Sequence, residues 1–202
     1  IGHYINKKFF YDPASIIMKI KRMESLFYAK STYFLLTGTQ NLDKRQEYFF
    51  DSQIREEISK IMHDNDIGLH GTKVAAYDQD TLTEQLINLK NAGFSCYGYR
   101  NHYLSFDYQK SFQILENAGL KYDATLGFWE NIGYRAGISF PFFPFNIKEN
   151  RPFRILEIPL VLMDTTIHSN KAMNLSLWKS MMKIKRLILA SRKNNSHFSV
   201  LW

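Results

Sequence analysis

The sequence predicts an α/β domain built around a parallel β-sheet. Segments in which apolar residues recur at helical spacing alternate along the chain with short β-branched and aromatic segments. Several polar side chains fall directly after those short segments, where α/β folds place their active sites. The chain has 202 residues, of which 45% are hydrophobic, so it is large enough for one domain with a sizeable core. The alternation fits a closed barrel as well as an open, doubly wound sheet.

Each predicted element follows from its own pattern of residues. Predicted helices cover residues 13–27, 51–62, 81–92, 107–118 and 174–192. Predicted strands cover residues 31–36, 67–70, 94–99, 120–124, 154–163 and 198–202. The connection at 127–151 is rich in aromatic residues and proline, and a connection of this length is typical of the wall of a binding cleft.

Local signals predict how the helices begin, end and face the core. Thr81 with Glu84 three residues later is a predicted capping box, and Asp107 is a predicted N-cap. Gly93 and Gly119 are expected to end their helices. The last helix is expected to turn one apolar stripe inward, and its members are Leu177, Met181, Ile184 and Ile188.

Composition excludes several classes of protein. The single cysteine, Cys96, cannot form an intrachain disulfide, so a disulfide scaffold is excluded. No apolar run approaches the ~20 residues of a membrane-spanning helix. The net charge of +7 suits an anionic partner, but the basic residues are scattered through predicted helices without a nucleic-acid-binding motif, so we expect no nucleic-acid partner.

Polar residues after the predicted strands are the candidate site residues. His70 is either a metal ligand or a hydrogen-bonded structural histidine. Arg100 and His102 are two positions apart, so they either orient an anion and move a proton or form a surface ion pair. Asp123 and Asp164 each follow a strand, and each is either a functional carboxylate or a cap.

Five segments in order resemble the polysaccharide deacetylase family, the NodB-homology domain of carbohydrate esterases. They are STYFLL at 31–36, DIGLHGT at 66–72, YRNHYL at 99–104, YDATLGF at 122–128 and EIPL at 157–160. The resemblance covers about residues 31–164 and is closest to a divergent branch with an R-x-H-Y-L segment. It implies a distorted (β/α) barrel of about seven strands, formed here by a single domain over residues 1–202.

The resemblance also implies a chemistry. Family members remove N-acetyl groups from glycans with a divalent metal held by one aspartate and two histidines, so we expect an acetylated glycan as substrate. Zinc is the first expectation for the metal, with cobalt, manganese or nickel as alternatives. His70 matches the first metal histidine, Arg100 the arginine that orients the catalytic carboxylate, and Asp123 a motif carboxylate. His102 is assigned a catalytic role, and the expected substrate-binding residues are Tyr103, Phe128, Trp129 and Asp164.

The chain departs from the family pattern in three places. Val74 stands where the second metal histidine is expected, four residues after His70. No Asp-Asp pair precedes Pro13, and the chain stops at Trp202, near the last strand, where the family's late histidine is expected. Since the chain begins at Ile1 and stops within an apolar stretch, we expect a fragment whose first-motif aspartates lie upstream. A second hypothesis is a catalytically silent glycan-binding module on the same barrel, and a third is a binder of anionic polymers.

Overall fold

A five-stranded parallel sheet forms the centre of the molecule. The computed structural model describes residues 13–38, 52–61 and 65–201. The strands are β1 (Thr32–Leu35), β2 (Asp66–Gly71), β3 (Gly98–Asn101), β4 (Tyr122–Asp123) and β7 (Leu156–Glu157). They lie in the order β1-β2-β3-β4-β7, and every pair is parallel. The predicted α/β class with a parallel sheet is confirmed.

Six helices accompany the sheet in the described part of the chain. They are α1 (Pro13–Phe27), α2 (Ser52–Ile61), α3 (Gln79–Asn91), α4 (Ser111–Asn117), α5 (Asp164–His168) and α6 (Leu177–Lys193). Because β1 to β4 are neighbours in chain order, right-handed crossovers place α2, α3 and α4 on one face. The main apolar core lies between those helices and the sheet, and it includes Leu69, Tyr99, Leu82, Leu89, Phe112 and Leu115.

Two further pairs of strands flank this sheet. β5 (Phe145–Asn146) and β6 (Arg151–Pro152) form an antiparallel hairpin within the long connection. β8 (Leu162–Met163) pairs in parallel with β9 (Val200–Leu201). β7 and β8 belong to the predicted strand at 154–163, which is interrupted around Pro159 because proline has no N–H to donate to a neighbouring strand. Among the described residues, β1 and β9 each pair with one neighbouring strand.

Several predicted boundaries are wrong. Helix α4 begins at Ser111 rather than at residue 107, and Asp107 instead accepts hydrogen bonds from the N–H groups of Gln109 and Lys110 in the turn before it. Helix α3 begins earlier than the capping box implied, because the carboxylate of Asp78 accepts a hydrogen bond from the Thr81 N–H at 2.8 Å and is the N-cap. Strand β3 begins at Gly98 rather than at residue 94. The N–H of Phe94 donates to the carbonyl of Leu89 at 3.2 Å, so residue 94 still closes the end of α3.

The inward stripe predicted for α6 is wrong at Leu177, Met181 and Ile188, and only its fourth member, Ile184, packs inward. Leu177 and Met181 are exposed by 70% and 56%, respectively. The side that packs inward carries Ser180, Ile184, Leu187 and Ser191 instead. Ser191 lies 2.9 Å from the Tyr134 hydroxyl, a contact with the long connection that rotates the apolar stripe toward the outside.

The packing between β2 and β3 yields a test of the fold. A Cβ added at Gly71 would lie 2.6 Å from ring atoms of Tyr99, which is fully buried. We therefore expect Gly71→Ala to lower the free energy of unfolding by about 1–3 kcal/mol through overpacking. Urea denaturation measures the change. Lys73→Ala, an exposed change two residues away, is the control, and equal midpoints for both variants would contradict the packing described.

Candidate functional site

The register of the parallel strands divides the candidate residues between the two faces of the sheet. Leu69 pairs with Tyr99, Tyr99 with Asp123, and Asp123 with Glu157. His70 pairs with Arg100. Since successive side chains of a strand point to opposite faces, Asp123 and Glu157 share the helix-covered face with Leu69. His70 and Arg100 lie together on the other face, which we call the second face.

Two histidine rings meet at the carboxyl ends of β2 and β3. The Nε2 atom of His70 lies 2.9 Å from the Nδ1 atom of His102, and the ring planes are 87° apart. Burial lowers the pKa of His70 to about 3, with further lowering by His102 and Arg100. Burial also lowers the pKa of His102. Both rings are therefore neutral at pH 7, which is the form that binds metals.

A strained turn holds His102 beside His70. Tyr103 and Leu104 have φ values of 61° and 52°, in the left-handed region that bulky residues avoid. The side chain of Asn101 spans the turn, because its Nδ2 donates to the Ser105 carbonyl at 2.8 Å. Leu104 is buried, which offsets part of the strain. Tyr103, a predicted substrate-binding residue, is 75% exposed, and its ring centroid lies 4.0 Å from that of His102.

Arg100 is a buried cation next to the histidine pair. Its Nε donates to the Ala124 carbonyl at 2.9 Å, and its guanidinium lies 4.5 Å from the centroid of the Phe34 ring. Burial lowers the pKa of Arg100 to about 10, and the negative charge of Asp123 opposes that change. The guanidinium therefore stays charged at neutral pH and favours an anionic group at this part of the second face.

Asp123 is fully buried on the helix-covered face and forms a pair with Glu157. Its Oδ1 accepts a hydrogen bond from the Thr125 hydroxyl at 2.6 Å, and Glu157 Oε1 accepts one from the Leu126 N–H at 3.2 Å. The remaining oxygens, Asp123 Oδ2 and Glu157 Oε2, are buried and have no donor. Burial raises the pKa of both carboxyl groups, and the charge of Asp123 raises that of Glu157 further. The two groups thus share a proton, as close carboxyl groups in a low-dielectric site do.

The structure therefore brings together some predicted residues and separates others. His70, Arg100 and His102 lie on the second face at neighbouring strand ends, whereas Asp123 lies across the sheet from them. The catalytic role assigned to Asp123 stays a prediction. Sequence reasoning gave Glu157 no role at the site. A lone carboxylate in the otherwise apolar segment 155–163 was the available signal.

The other predicted substrate-binding residues lie after β4 and β8. Phe128 and Trp129 are exposed, and the Trp129 carbonyl accepts a hydrogen bond from the Thr166 hydroxyl of α5 at 2.9 Å. Asp164 is the first residue of α5, and its Oδ1 accepts a hydrogen bond from the Thr165 N–H at 2.6 Å. Trp129 is thus attached to the short helix that Asp164 begins, and Met163 is the N-cap of that helix, without a side-chain cap hydrogen bond.

In the described part of the chain, the metal-binding side chains that meet at the second face are His70 and His102. Over residues 13–38, 52–61 and 65–201, no group of three His, Cys, Asp or Glu side chains is close enough to hold an ion. Val74 lies in the turn after β2 and supplies no donor atom. A search of the described helices also finds none that is both long and apolar enough to cross a bilayer.

Comparison with known proteins gives no relative. No protein-family model matches the chain, and neither a curated protein nor a solved structure matches it.

The carboxyl pair predicts an unusual dependence of stability on pH. Because the folded pKa of Glu157 lies well above its ordinary value of 4.5, the folded protein retains a proton that the unfolded chain releases. The free energy of unfolding should therefore fall as pH rises from 4.5 toward the raised folded pKa, by up to about 1.4 kcal/mol per pH unit. Glu157→Gln keeps the shape and a donor toward Asp123, so this fall should largely disappear in urea titrations.

Glu116→Gln is the matched control. Glu116 accepts hydrogen bonds from Arg151 Nη1 and Nη2 at 2.9 and 2.6 Å, and hydrogen bonding to Arg151 lowers its pKa. Removing this charge should lower stability without changing the slope above pH 4.5, because the lowered pKa of Glu116 leaves it ionised there in both states. If Glu157→Gln and the unaltered chain show the same slope, the pair does not share a proton.

Proposed function

We propose that the chain is a metal-dependent hydrolase that removes acetyl groups from a glycan. The observation that carries the proposal is the 2.9 Å approach of His70 Nε2 to His102 Nδ1 at the carboxyl ends of adjacent parallel strands. Parallel α/β sheets bind their ligands at this edge. The resemblance of residues 31–164 to polysaccharide deacetylases supplies the reaction, and His102 then takes the place that Val74 cannot fill.

The donor set suits a divalent metal in part. His70 and His102 offer two neutral imidazole nitrogens, which are common ligands of zinc, cobalt, nickel and manganese. The bound metal would polarise the acetyl carbonyl and lower the pKa of a water molecule. Zinc sites of this kind have three protein ligands, so a further donor is required. Under this proposal, an aspartate from outside the described residues completes the set.

The second face also has groups that can act on the substrate. Arg100 is positively charged and buried, so it can orient a carboxylate or stabilise negative charge on an acyl oxygen. Because its Nδ1 binds the metal under this proposal, the partly buried and neutral His102 does not also accept a proton from water. Exposed Tyr103, beside the His102 ring, would contact the sugar. Asp123, on the opposite face of the sheet, would contribute indirectly, because its negative charge raises the pKa of Arg100 and favours the charged guanidinium.

The proposed architecture is a distorted (β/α) barrel of about seven strands. Two observations support it. The strands follow one another in chain order across the sheet, as in (β/α) barrels. The Leu160 N–H donates to Leu126 at 3.0 Å and the Val161 N–H donates to Ser199 at 3.3 Å, so the segment between β7 and β8 lies between the β4 end and the chain before β9. A closed barrel needs further strands between β9 and β1.

Metal binding is the first test. Calorimetric titration of the full-length protein with zinc should show one site, and His70→Ala or His102→Ala should each weaken it at least about tenfold. His168→Ala removes an exposed histidine of α5 and is the control. The full-length protein loaded with zinc, cobalt or manganese should release acetate from N-acetylglucosamine oligomers or peptidoglycan. Absence of both metal binding and acetate release, or equal affinity in His70→Ala, would refute the proposal.

A second candidate function is a glycan-binding module without catalysis. Phe128 and Trp129 are 41% and 52% exposed next to the sheet edge, where aromatic rings can stack on sugars. The histidine pair lacks a third donor among the described residues, which favours this alternative to the enzyme.

The two candidates differ in their response to chelation. A binding module should retain its affinity for N-acetylglucosamine oligomers in EDTA, and Trp129→Ala should weaken that affinity about tenfold through lost stacking. Tyr97→Ala, which removes an exposed ring from a different part of the surface, is the control. Loss of sugar binding in EDTA, or unchanged affinity in Trp129→Ala, would exclude the module.

A further inference from the structure

Helix α6 exposes an unusual number of large apolar side chains. Trp178 and Leu177 are 71% and 70% exposed, and Met181, Leu189, Ile188 and Met182 are also exposed. The inward side of the helix is narrow, since Ser180 and Ser191 are its buried members and Ile184 and Leu187 are partly buried. The outer surface is therefore more apolar than the inner one, the reverse of an ordinary surface helix.

The charged residues of α6 are all cationic. Within Leu177–Lys193, six side chains are basic and none is acidic: Lys179, Lys183, Lys185, Arg186, Arg192 and Lys193. The exposed apolar residues form one sector of the helix surface when successive residues are placed 100° apart. Four of the cations lie together in the neighbouring sector: Lys179, Lys183, Arg186 and Lys193. Lys185 and Arg192 lie within the apolar set, where their aliphatic stems can lie along a nonpolar layer while their charges reach water.

We propose that α6 binds the surface of a membrane that contains anionic phospholipid. The helix would lie in the plane of the interface, with Trp178, Met181 and Leu189 among the acyl chains and glycerol groups and the lysines against the phosphates. Helices with this combination of cations, tryptophan and exposed aliphatic side chains bind such interfaces. The helix would bind on the membrane surface and would not cross it.

Charge and apolarity together favour a membrane over other occupants. A second copy of the chain, seated on α6 through a twofold contact, would bring six cations against six cations. A nucleic acid would pair its phosphates with the cations, but it would leave the apolar side chains of Leu177, Met181 and Ile188 in water. Only an anionic lipid surface satisfies both the positive charge and the exposed aliphatic groups.

Co-sedimentation with lipid vesicles tests the proposal. The chain should bind vesicles of phosphatidylcholine mixed with phosphatidylglycerol, and it should bind vesicles of phosphatidylcholine alone much more weakly. Lys179→Gln combined with Lys183→Gln should weaken binding about 25-fold, at about fivefold per lysine near an anionic surface. Lys110→Gln with Lys148→Gln removes the same charge from exposed positions outside α6 and should have little effect.

The apolar contribution has its own variant. Trp178→Ser should weaken vesicle binding about tenfold, because burial of the indole contributes to insertion. Tyr97→Ser, another exposed aromatic residue, is the matched control. Circular dichroism of each variant establishes that the fold is retained.

Four results would overturn the proposal. The first is equal binding to vesicles with and without phosphatidylglycerol, and the second is an equal loss in the α6 lysine variant and its charge-matched control. The third is self-association of the chain that Trp178→Ser abolishes, which would make a second copy the occupant. The fourth is binding to a DNA duplex while vesicles leave the chain in the supernatant. None of these results bears on metal binding or acetate release, so this proposal and the proposed function fail independently.

Discussion

The in-register parallel pairing of β2, β3, β4 and β7 determines what the other side chains can do. Alternation along each strand assigns His70 and Arg100 to the second face and Leu69 and Tyr99 to the helix-covered face. A shift of one residue in β3 would move Arg100 among the helices and Tyr99 onto the second face. The glycines secure this register, because Gly68 and Gly71 leave space that the rings of Phe34 and Tyr99 occupy.

The two faces use buried polarity differently. On the helix-covered face, a chain of hydrogen bonds runs from the Tyr99 hydroxyl to Asn101, from the Asn101 N–H to Thr125, and from Thr125 to Asp123. This network stabilises the strand ends and the turn after β3. On the second face, the imidazole pair and Arg100 are held by that same turn. The hydrogen-bond network on the helix-covered face therefore also holds His102 next to His70 on the second face.

The sequence predicted the order of elements better than their orientation. The helices at 13–27 and 51–62 follow from local apolar spacing, and the structure has α1 and α2 there. The inward side of α6 was not predictable, because the contact of Ser191 with Tyr134 joins positions 57 apart in the chain. The proximity of His70 and His102 could be expected from two strand ends. The pairing of Asp123 with Glu157 could not, because it depends on the register of strands that are two residues long.

The proton shared by Asp123 and Glu157 also affects folding itself. Between the ordinary pKa of Glu157, 4.5, and its raised folded pKa, the unfolded chain carries both groups ionised, whereas the folded chain keeps one proton between them. Folding then takes up about one proton from the solvent. The equilibrium between folded and unfolded chain is thus linked to the acidity of the surroundings, and in that pH range refolding removes hydrogen ions from the buffer.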